Sequence, residues 1–573
     1  MFHRYLHGSI ALIKPLSTGH EKGIIDYTVD NLPNKPSDDW TKFSGVYPDP
    51  ANTTNTTGTD KEPQPAAPAQ TSSVPPPPEM TQLSQSPPLM STVTDTTPVM
   101  TEVNPGMPPL PETPPQPSPP TDGDMPLPDA SSPSPKSSGI LKRVLIIGIL
   151  LIILFVVGFA GFKVIGMLTQ QKQPITLTYW GLWEDDQVLL QIIEEYKKTH
   201  PNVNIVYSKQ TPKQYRVRLQ NAINKSEGPD LFRFHNTWVP MLSKELQPAG
   251  KTGYSPDEFK QTFYPVTYSD LVSSGKVYGV PLMIDGLGLY YNEDLLRAAG
   301  VTPPTTWEEF REAALALTVK DEDGKIITAG TALGTANNVE HFSDVIALMM
   351  LQNKADLKNP TSDVAADALS FYRLFAEPGN NVWDDTLDNS ILAFASGKVA
   401  MIFAPSWQVF TIRQLNPDPE FKFQIIPVPQ LAGDTVTWAS YWVEGVSSKS
   451  KHPDEAWEFL KYLSGKETMV NFYTEVTKLD GRPFGEPYSR VDLAPVIIND
   501  PYVGAYIRQA QTAQSFFLSS RTYDEGINDR MIQYVTDAVN STAQGASANA
   551  ALETMAKGFS QVLSDFDYTT PTP

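Results

Sequence analysis

A regular pattern of apolar and polar positions begins near residue 175 of this 573-residue chain. Residues 175–180, 203–207 and 230–234 are short runs rich in β-branched and aromatic residues, which is typical of strands. Between these runs, apolar residues recur at helical spacing. Because strands separated by helices form a β-α-β-α-β unit, we expect a largely parallel sheet with right-handed connections. Ligands of such sheets bind beyond the carboxyl ends of the strands.

The pattern of strands and helices continues to the end of the chain. Residues 278–285 and 287–291 are strand-like, and residues 399–404 and 423–428 are apolar runs typical of buried strands. From Tyr523 onward, apolar residues at helical spacing predict amphipathic helices. The whole region after residue 174 is therefore predicted to be α/β.

Two helix starts can be read from local chemistry. Thr306 as N-cap and Glu309 three residues later predict a capping box. Pro453 is suited to the first turn of another helix, and Gly465 to its end.

An uncharged apolar run of 19 residues occupies positions 144–162. At about 1.5 Å per residue a helix of this length spans the roughly 30 Å hydrocarbon layer, so we expect a transmembrane helix within residues 141–168. A buried core helix and a cleaved signal peptide are the alternatives, but the run lacks a polar face and a small-residue cleavage site. Lys136, Lys142 and Arg143 on its amino side favour a cytoplasmic amino terminus and an extracellular carboxyl-terminal part.

The composition separates residues 1–140 from the rest of the chain. This quarter holds 28 of the 53 prolines, within tracts of serine and threonine. Such a composition buries too little apolar surface to offset chain entropy, so we expect a disordered cytoplasmic tail.

Charge and cysteine content exclude several classes of protein. The net charge of −20 argues against a nucleic-acid partner, because phosphate binding needs clustered Lys and Arg. Without cysteine the chain has no disulfide, thiolate zinc site, cysteine nucleophile or lipidated cysteine. Phosphate-loop, serine-hydrolase and zinc-protease motifs are also missing, and we expect neither cofactor nor catalytic metal.

Five sequence blocks, in this order and spacing, carry a resemblance to a known family. They are ITLTYWGLWEDDQVLLQIIEEYKKTHPNVNIVY, GPDLFRFHNTWVPMLSKELQPA, GLYYNEDLLRAAGVTPPTTWEEF, FASGKVAMIFAPSW and SKSKHPDEAWEFLKYLSG. Together they resemble the extracellular solute-binding proteins of sugar ABC transporters (family 1, maltose-binding-protein-like). Family members usually carry a cleaved signal, often with a lipidated cysteine, and lack a proline-rich extension. In this chain the membrane helix would take over the tethering.

The resemblance implies an α/β, two-lobed periplasmic-binding-protein-like (Venus flytrap) fold for residues 174–573, preceded by the disordered tail and one transmembrane helix. Lobe 1 would comprise about residues 174–284 and part of 440–510, and lobe 2 about residues 285–438 and the final helices. The chain would cross between lobes near residues 283–289, near 440–444 and again before the final helices. A ligand would bind between the lobes.

A sugar presents apolar C–H faces and a rim of hydroxyls, so its site needs flat aromatic rings and polar side chains. Trp180 and Trp183, after the first strand, match the family's ligand-facing loop. Glu184 and Asp185 in that loop are candidate acceptors for hydroxyl protons, and the alternative role of Asp185 is to cap the next helix.

Further candidates follow the third strand and the later strands. His235, Asn236 and Trp238 lie where the family places polar contacts. Asp285 interrupts the first crossing, and Trp407 matches a position at which family members stack a ring on the ligand.

The second crossing contributes Tyr441, Trp442 and Glu444. Strand alternation directs Trp442 and Glu444 to one face and Tyr441 to the other, so the three side chains cannot all point into the cleft. Arg521 and Tyr523, before the final helices, are weaker candidates.

These features predict a membrane-anchored extracellular binding protein that is not an enzyme and that delivers a sugar or oligosaccharide to ABC permease subunits. Three alternatives stay open. One is a sensor that signals through the proline-rich tail, which offers PxxP-like segments. Another is a receptor for a cationic solute such as a polyamine or peptide. The third is a glycosidase, with two carboxylates drawn from Glu184, Asp185, Asp285 and Glu444.

Overall fold

The computed structural model describes residues 143, 145–156, 158, 173–184, 186–566 and 568. Residues 145–156 are helical, and their large apolar side chains are exposed. Among the described residues, none of the helices combines the length and the apolar character needed to cross a membrane. The predicted tail (1–140) and, apart from residues 143, 145–156 and 158, the predicted span (141–168) lie outside the described residues.

Fourteen strands form within the described part of the chain after residue 173. They are β1 Ile175–Gly181, β2 Val203–Lys209, β3 Leu231–His235, β4 Val272–Ser273, β5 Lys276–Val277, β6 Val280–Pro281, β7 Gly288–Asn292, β8 Val319–Lys320, β9 Ile326–Thr331, β10 Val399–Ala404, β11 Phe423–Ile426, β12 Thr437–Trp438, β13 Trp442–Val446 and β14 Ala513–Gln514.

Sixteen helices lie between residues 186 and 565. They are α1 Asp186–Thr199, α2 Tyr215–Asn224, α3 Pro256–Thr262, α4 Pro265–Leu271, α5 Glu293–Ala299, α6 Trp307–Leu317, α7 Phe342–Gln352, α8 Asp363–Leu374, α9 Ser390–Ala395, α10 Gln408–Leu415, α11 Pro453–Leu463, α12 Lys466–Val476, α13 Ala494–Ile497, α14 Gly504–Gln509, α15 Ile527–Ala543 and α16 Ala548–Asp565. Short 3₁₀ turns lie at Asn236–Trp238, Val491–Leu493 and Ala510–Thr512.

The first sheet has the strand order β2-β1-β3-β13-β6. β1 is parallel to β2 and β3, which confirms the predicted β-α-β-α-β unit. β13 arrives from much later in the sequence and lies antiparallel between β3 and β6. Ile175, Leu177 and Tyr179 alternate towards the core, and α1 packs its apolar face beside β2.

The second sheet has the strand order β11-β7-β10-β9-β8. β7 is antiparallel to β10 and β11, whereas β10 is parallel to β9. All six residues of β10 are buried, because the strand is central and covered on both faces, as its unbroken apolar run predicts. The two sheets form the cores of two α/β lobes.

The chain passes between the sheets at three places. One is the segment from β6 to β7, where the strand predicted over residues 278–285 is limited to Val280–Pro281. There the backbone leaves the first sheet, and isolated bridges join Met283 to Tyr488 and Gly286 to Ala439. A β-carbon on Gly286 would lie 1.8 Å from the carbonyl oxygen of Trp438, so only glycine fits this approach. The other two passages are marked by β12 and β14, which pair in parallel.

Several local predictions are confirmed. Thr306 and Glu309 form the capping box of α6, and Pro453 opens α11. The helices predicted near the carboxyl end are α15 and α16, which pack against each other. Tyr523 is an exception, because it precedes α15 in a left-handed conformation with φ of 54°.

Candidate functional site

A cleft lies where strands of both sheets end, beside the passages between them. It encloses about 1040 Å³ of empty space, including its opening to solvent. Trp183 and His235 line it from the ends of β1 and β3, and Trp407 lines it from the loop after β10. A concave site lined from both lobes is suited to a small organic ligand.

Aromatic rings form the wall of the cleft that comes from the first lobe. The rings of Trp183 and Trp442 meet edge to face, with centroids 5.6 Å apart. Trp442 also contacts His235 at 5.2 Å and Trp238 at 5.4 Å, and Trp238 is buried behind it. Because its neighbours fix the Trp442 ring while part of it stays exposed, this wall offers a preformed apolar surface.

The second lobe supplies a facing aromatic wall. Trp407 is half-buried, and its ring meets that of His341 edge to face at 5.7 Å. Phe410 stacks on Phe484 with centroids 4.7 Å apart, and the Arg482 guanidinium lies 4.3 Å from the Phe410 ring centre. The cleft therefore lies between indole and phenyl rings from both sides.

Asp285 lies at the base of the cleft in the first passage between the lobes. One carboxylate oxygen accepts the amide hydrogen of Gly286 at 2.8 Å, and the other accepts the hydroxyl of Ser406 at 2.8 Å. The Ser406 amide also donates to both oxygens, at 3.1 and 3.2 Å. Burial raises the pKa of Asp285 to about 7, although these hydrogen bonds act in the opposite direction.

A second buried carboxylate and a histidine lie along the second lobe. Asp344 accepts the indole N–H of Trp438 at 2.8 Å and the amide of Ser520 at 3.1 Å, and burial raises its pKa to about 6. His341 contacts the Ser520 hydroxyl at 2.8 Å and the Gln408 amide at 3.0 Å, and burial lowers its pKa to about 4. Both side chains are therefore held in place by the protein itself.

The remaining charged groups of the cleft also have partners. Arg521 forms an ion pair with Glu340, and Arg482 pairs with Glu486 at 3.2 Å. His235 contacts Thr237 at 2.8 Å and Ser440 at 3.1 Å, and burial lowers its pKa to about 3, which leaves it neutral. The polar rim thus consists mainly of paired charges and neutral groups.

The family model for bacterial extracellular solute-binding proteins matches residues 180–470. This chain belongs to that family. The resemblance inferred from the five sequence blocks is therefore confirmed, and the family is not an enzyme class.

Known solute-binding proteins share both sequence and fold with this one. The multiple sugar-binding protein of Streptococcus mutans is 24% identical over 338 residues, which is 55% of this chain and 76% of the relative. The maltotriose-binding protein of Pyrococcus abyssi is 22% identical over 387 residues, 64% of this chain and 77% of the relative. A cyclo/maltodextrin-binding protein solved with maltotetraose covers 69% of this chain and 99% of its own, at 19% identity and a TM-score of 0.56. That similarity supports the two-lobed α/β fold.

Five of the candidate ligand contacts of this solute-binding protein line the cleft. They are Trp183, His235, Asp285, Trp407 and Trp442. The two weaker candidates, Arg521 and Tyr523, line it as well. Ligand contact by these seven residues stays a prediction, but the fold does bring them together.

Seven other candidates do not line the cleft or are not described. Glu184 and Glu444 are buried behind the aromatic wall, where both pair with Arg233. Trp180 lies within β1 outside the cleft lining, and Trp238 is buried behind Trp442. Asp185 lies outside the described residues.

Asn236 and Tyr441 point away from the cleft towards the partly buried carboxylate of Asp270. That carboxylate accepts hydrogen bonds from the Asn236 amide at 2.9 Å, the Tyr441 hydroxyl at 2.7 Å and the Ser515 hydroxyl at 2.5 Å. The alternation argument holds here, because Tyr441 faces opposite to Trp442. Asn236 and Tyr441 thus join the first sheet to the passages between the lobes.

Sequence reasoning missed His341, Asp344, Phe410 and Phe484. One signal was present: Asp344 interrupts an otherwise mostly apolar helix, α7, almost all of which is buried. A carboxylate in that position needs buried donors, which Trp438 and Ser520 provide. No comparable signal marked Phe484, which lies in a loop.

Proposed function

We propose that this protein is the substrate-binding component of an ABC importer and that it captures an uncharged sugar or oligosaccharide in the cleft. The observation that carries the proposal is the pair of aromatic walls contributed by the two lobes. Half-buried Trp183, Trp442 and Trp407 offer flat faces for the C–H surfaces of sugar rings. Multiple sugar-binding and maltotriose-binding proteins among the relatives support the same class of ligand.

The charges of the cleft favour an uncharged ligand over a polyamine or a cationic peptide. Asp285 and Asp344 already accept hydrogen bonds from the protein, and Glu486 is paired with Arg482. A cationic ligand would need a carboxylate with free acceptors, and the raised pKa of Asp285 and Asp344 makes them poor counter-ions. Hydroxyl groups, by contrast, can join hydrogen-bonded pairs as extra donors or acceptors.

We further propose that residues 144–162 tether the binding domain outside the cell, beside its permease. The apolar run has the length of a membrane span, and the family is extracellular. Tethering raises the effective concentration of the receptor at the transporter. Protease shaving of intact cells tests this topology: digestion of the carboxyl-terminal part is expected, and its complete protection would contradict the proposal.

A thermal-shift screen of the full chain tests the ligand class. Mono- and oligosaccharides, including maltotriose, are compared with spermidine. At a ligand concentration 100 times Kd, binding adds about 2.7 kcal/mol to the free energy of unfolding, which is a readily measured shift. Stabilisation by spermidine alone would contradict the proposal.

Trp407→Ala tests the site with the saccharide that stabilises the wild type most. We expect binding to be abolished, because one aromatic wall loses its exposed ring. Trp180→Ala is the matched control, since this tryptophan is also half-buried but lies outside the cleft lining. Equal affinity of the Trp407→Ala variant and the wild type would refute the assignment of the cleft.

A further inference from the structure

A buried guanidinium lies behind the aromatic wall of the first lobe. Arg233 on β3 pairs with Glu184, in the turn after β1, and with Glu444 on β13. The side chains of these residues are at most 2% exposed, and Arg233 Nε lies 2.6 Å from Glu444 Oε1. Arg233 therefore does not touch a ligand in the cleft. Any effect that it has on ligand binding must act through Glu184 or Glu444.

Each carboxylate that pairs with Arg233 is close in sequence to a cleft tryptophan. Glu184 directly follows Trp183. Glu444 is two residues after Trp442, and the two share one face of β13. The same guanidinium thus fixes the backbone beneath both indole rings, which meet edge to face at 5.6 Å and 70°.

The two tryptophans differ in how else they are held. Trp442 belongs to a strand that pairs with neighbours on both sides, and its ring contacts His235. Trp183 lies in the bend between β1 and α1, which is neither strand nor helix. An ion pair to the adjacent Glu184 therefore has more influence on Trp183 than Glu444 has on Trp442.

Burial of this cluster needs an explanation other than stability. A buried ion pair is often no more stabilising than well-packed apolar side chains, because desolvation offsets the attraction. Burial acts to lower the pKa of Arg233, but Glu444 and neighbouring groups raise it above its ordinary value, so the guanidinium stays charged. The charged guanidinium of Arg233 instead fixes the positions of the two carboxylates that bind to it.

We propose that Arg233, acting through Glu184, is a positioning residue that holds the Trp183 ring against Trp442 and so sets the shape of the saccharide-binding wall. The role in saccharide binding rests on the proposed function of the cleft. The positioning itself is a property of the protein alone and can be tested without ligand.

Glu184→Gln is the decisive variant. It keeps the side-chain shape and leaves one guanidinium facing one carboxylate, so the buried charges balance. Arg233→Met would instead leave two unpaired buried carboxylates, and misfolding would follow. Glu245→Gln is the matched control, because Glu245 is also a buried carboxylate of this lobe, 3% exposed and bonded to Gln220 and Asn224 instead.

The spectroscopic readout is the exciton couplet of neighbouring indoles in far-ultraviolet circular dichroism of the full chain. The difference between wild type and Trp183→Phe isolates the contribution of the Trp183–Trp442 pair from that of Trp238. We expect Glu184→Gln to lose that contribution and Glu245→Gln to keep it. An unchanged couplet in Glu184→Gln would overturn the proposal.

Affinity for maltotriose, or for the saccharide that stabilises the wild type most, is the second readout. Loss of the fixed ring should weaken binding by about tenfold in Glu184→Gln and leave Glu245→Gln unchanged. Loss of the couplet without any saccharide binding by the wild type would refute the proposed function and support the positioning role. Saccharide binding with a retained couplet and unchanged affinity would refute the positioning role alone.

Discussion

The buried carboxylate of Asp285 makes the stability of the protein depend on pH in a direction unusual for an aspartate. We consider the substitution Asp285→Asn, which replaces a titratable group by a neutral one of the same shape. The amide oxygen can accept from Gly286 and Ser406, and the amide nitrogen can donate to the Ser406 hydroxyl. The variant therefore resembles the protonated form of the wild type.

The size of the effect follows from the change in pKa between unfolded and folded chain. Burial moves the pKa of Asp285 from 3.8 to about 7. The folded chain therefore binds the carboxyl proton of Asp285 more tightly than the unfolded chain does. The stability that protonation contributes is fully present below about pH 4 and is lost as the pH rises through about 7. At 1.36 kcal/mol per unit, the difference between wild type and Asp285→Asn in free energy of unfolding changes by about 4 kcal/mol across this window.

Urea denaturation of both chains at about pH 4.5 and about pH 8 measures this difference. The two chains should differ little in stability at the lower pH, and at the higher pH the wild type should be less stable than Asp285→Asn by roughly 4 kcal/mol. Asp344 and the histidines are common to both chains, so their contributions cancel. Asp434→Asn is the control for the removal of a carboxylate, because its side chain is 80% exposed. A constant difference between wild type and Asp285→Asn would refute the reasoning.

Three further predictions concern folding and can be measured by denaturation. As the pH falls from about 6.5 to 4, the His235→Gln variant should lose less stability than the wild type. Burial lowers the pKa of His235 to about 3, so in this range His235 takes up a proton only in the unfolded chain. An equal loss of stability in both chains would contradict this. Thr306→Ala should lower the free energy of unfolding by about 1 kcal/mol, because the capping box of α6 is lost. Ser362→Ala should lower it less, because Ser362 is an N-cap without a side-chain hydrogen bond. Equal losses in the two variants would count against the capping argument. Gly286→Ala should markedly lower the melting temperature, because the new β-carbon would collide with the Trp438 carbonyl; a wild-type melting curve would show that this passage is less rigid than described.

Features that depend on local sequence were predictable, and features that depend on distant partners were not. The unbroken apolar run of β10 and the capping box at Thr306 were identified because their physical causes lie within a few residues. The ion pair of Glu444 was not predictable, because its partner Arg233 is 211 residues away in sequence. The strand predicted over 278–285 ended early because the chain must leave one sheet to enter the other. Phe484 reaches the cleft through a stack on Phe410, which no periodicity reveals.

The position of β13 between β3 and β6 has a consequence for biosynthesis. β6 ends at Pro281 and β13 begins at Trp442, so roughly 160 residues are made before the strand that joins them emerges. At about 5–20 residues per second, the edges of β3 and β6 stay unpaired for roughly 10–30 s during synthesis. Such edges are templates for wrong pairing, so the nascent chain passes through a period in which chaperone capture competes with aggregation. The first lobe, although it is synthesised first, cannot complete its sheet until most of the second has left the ribosome.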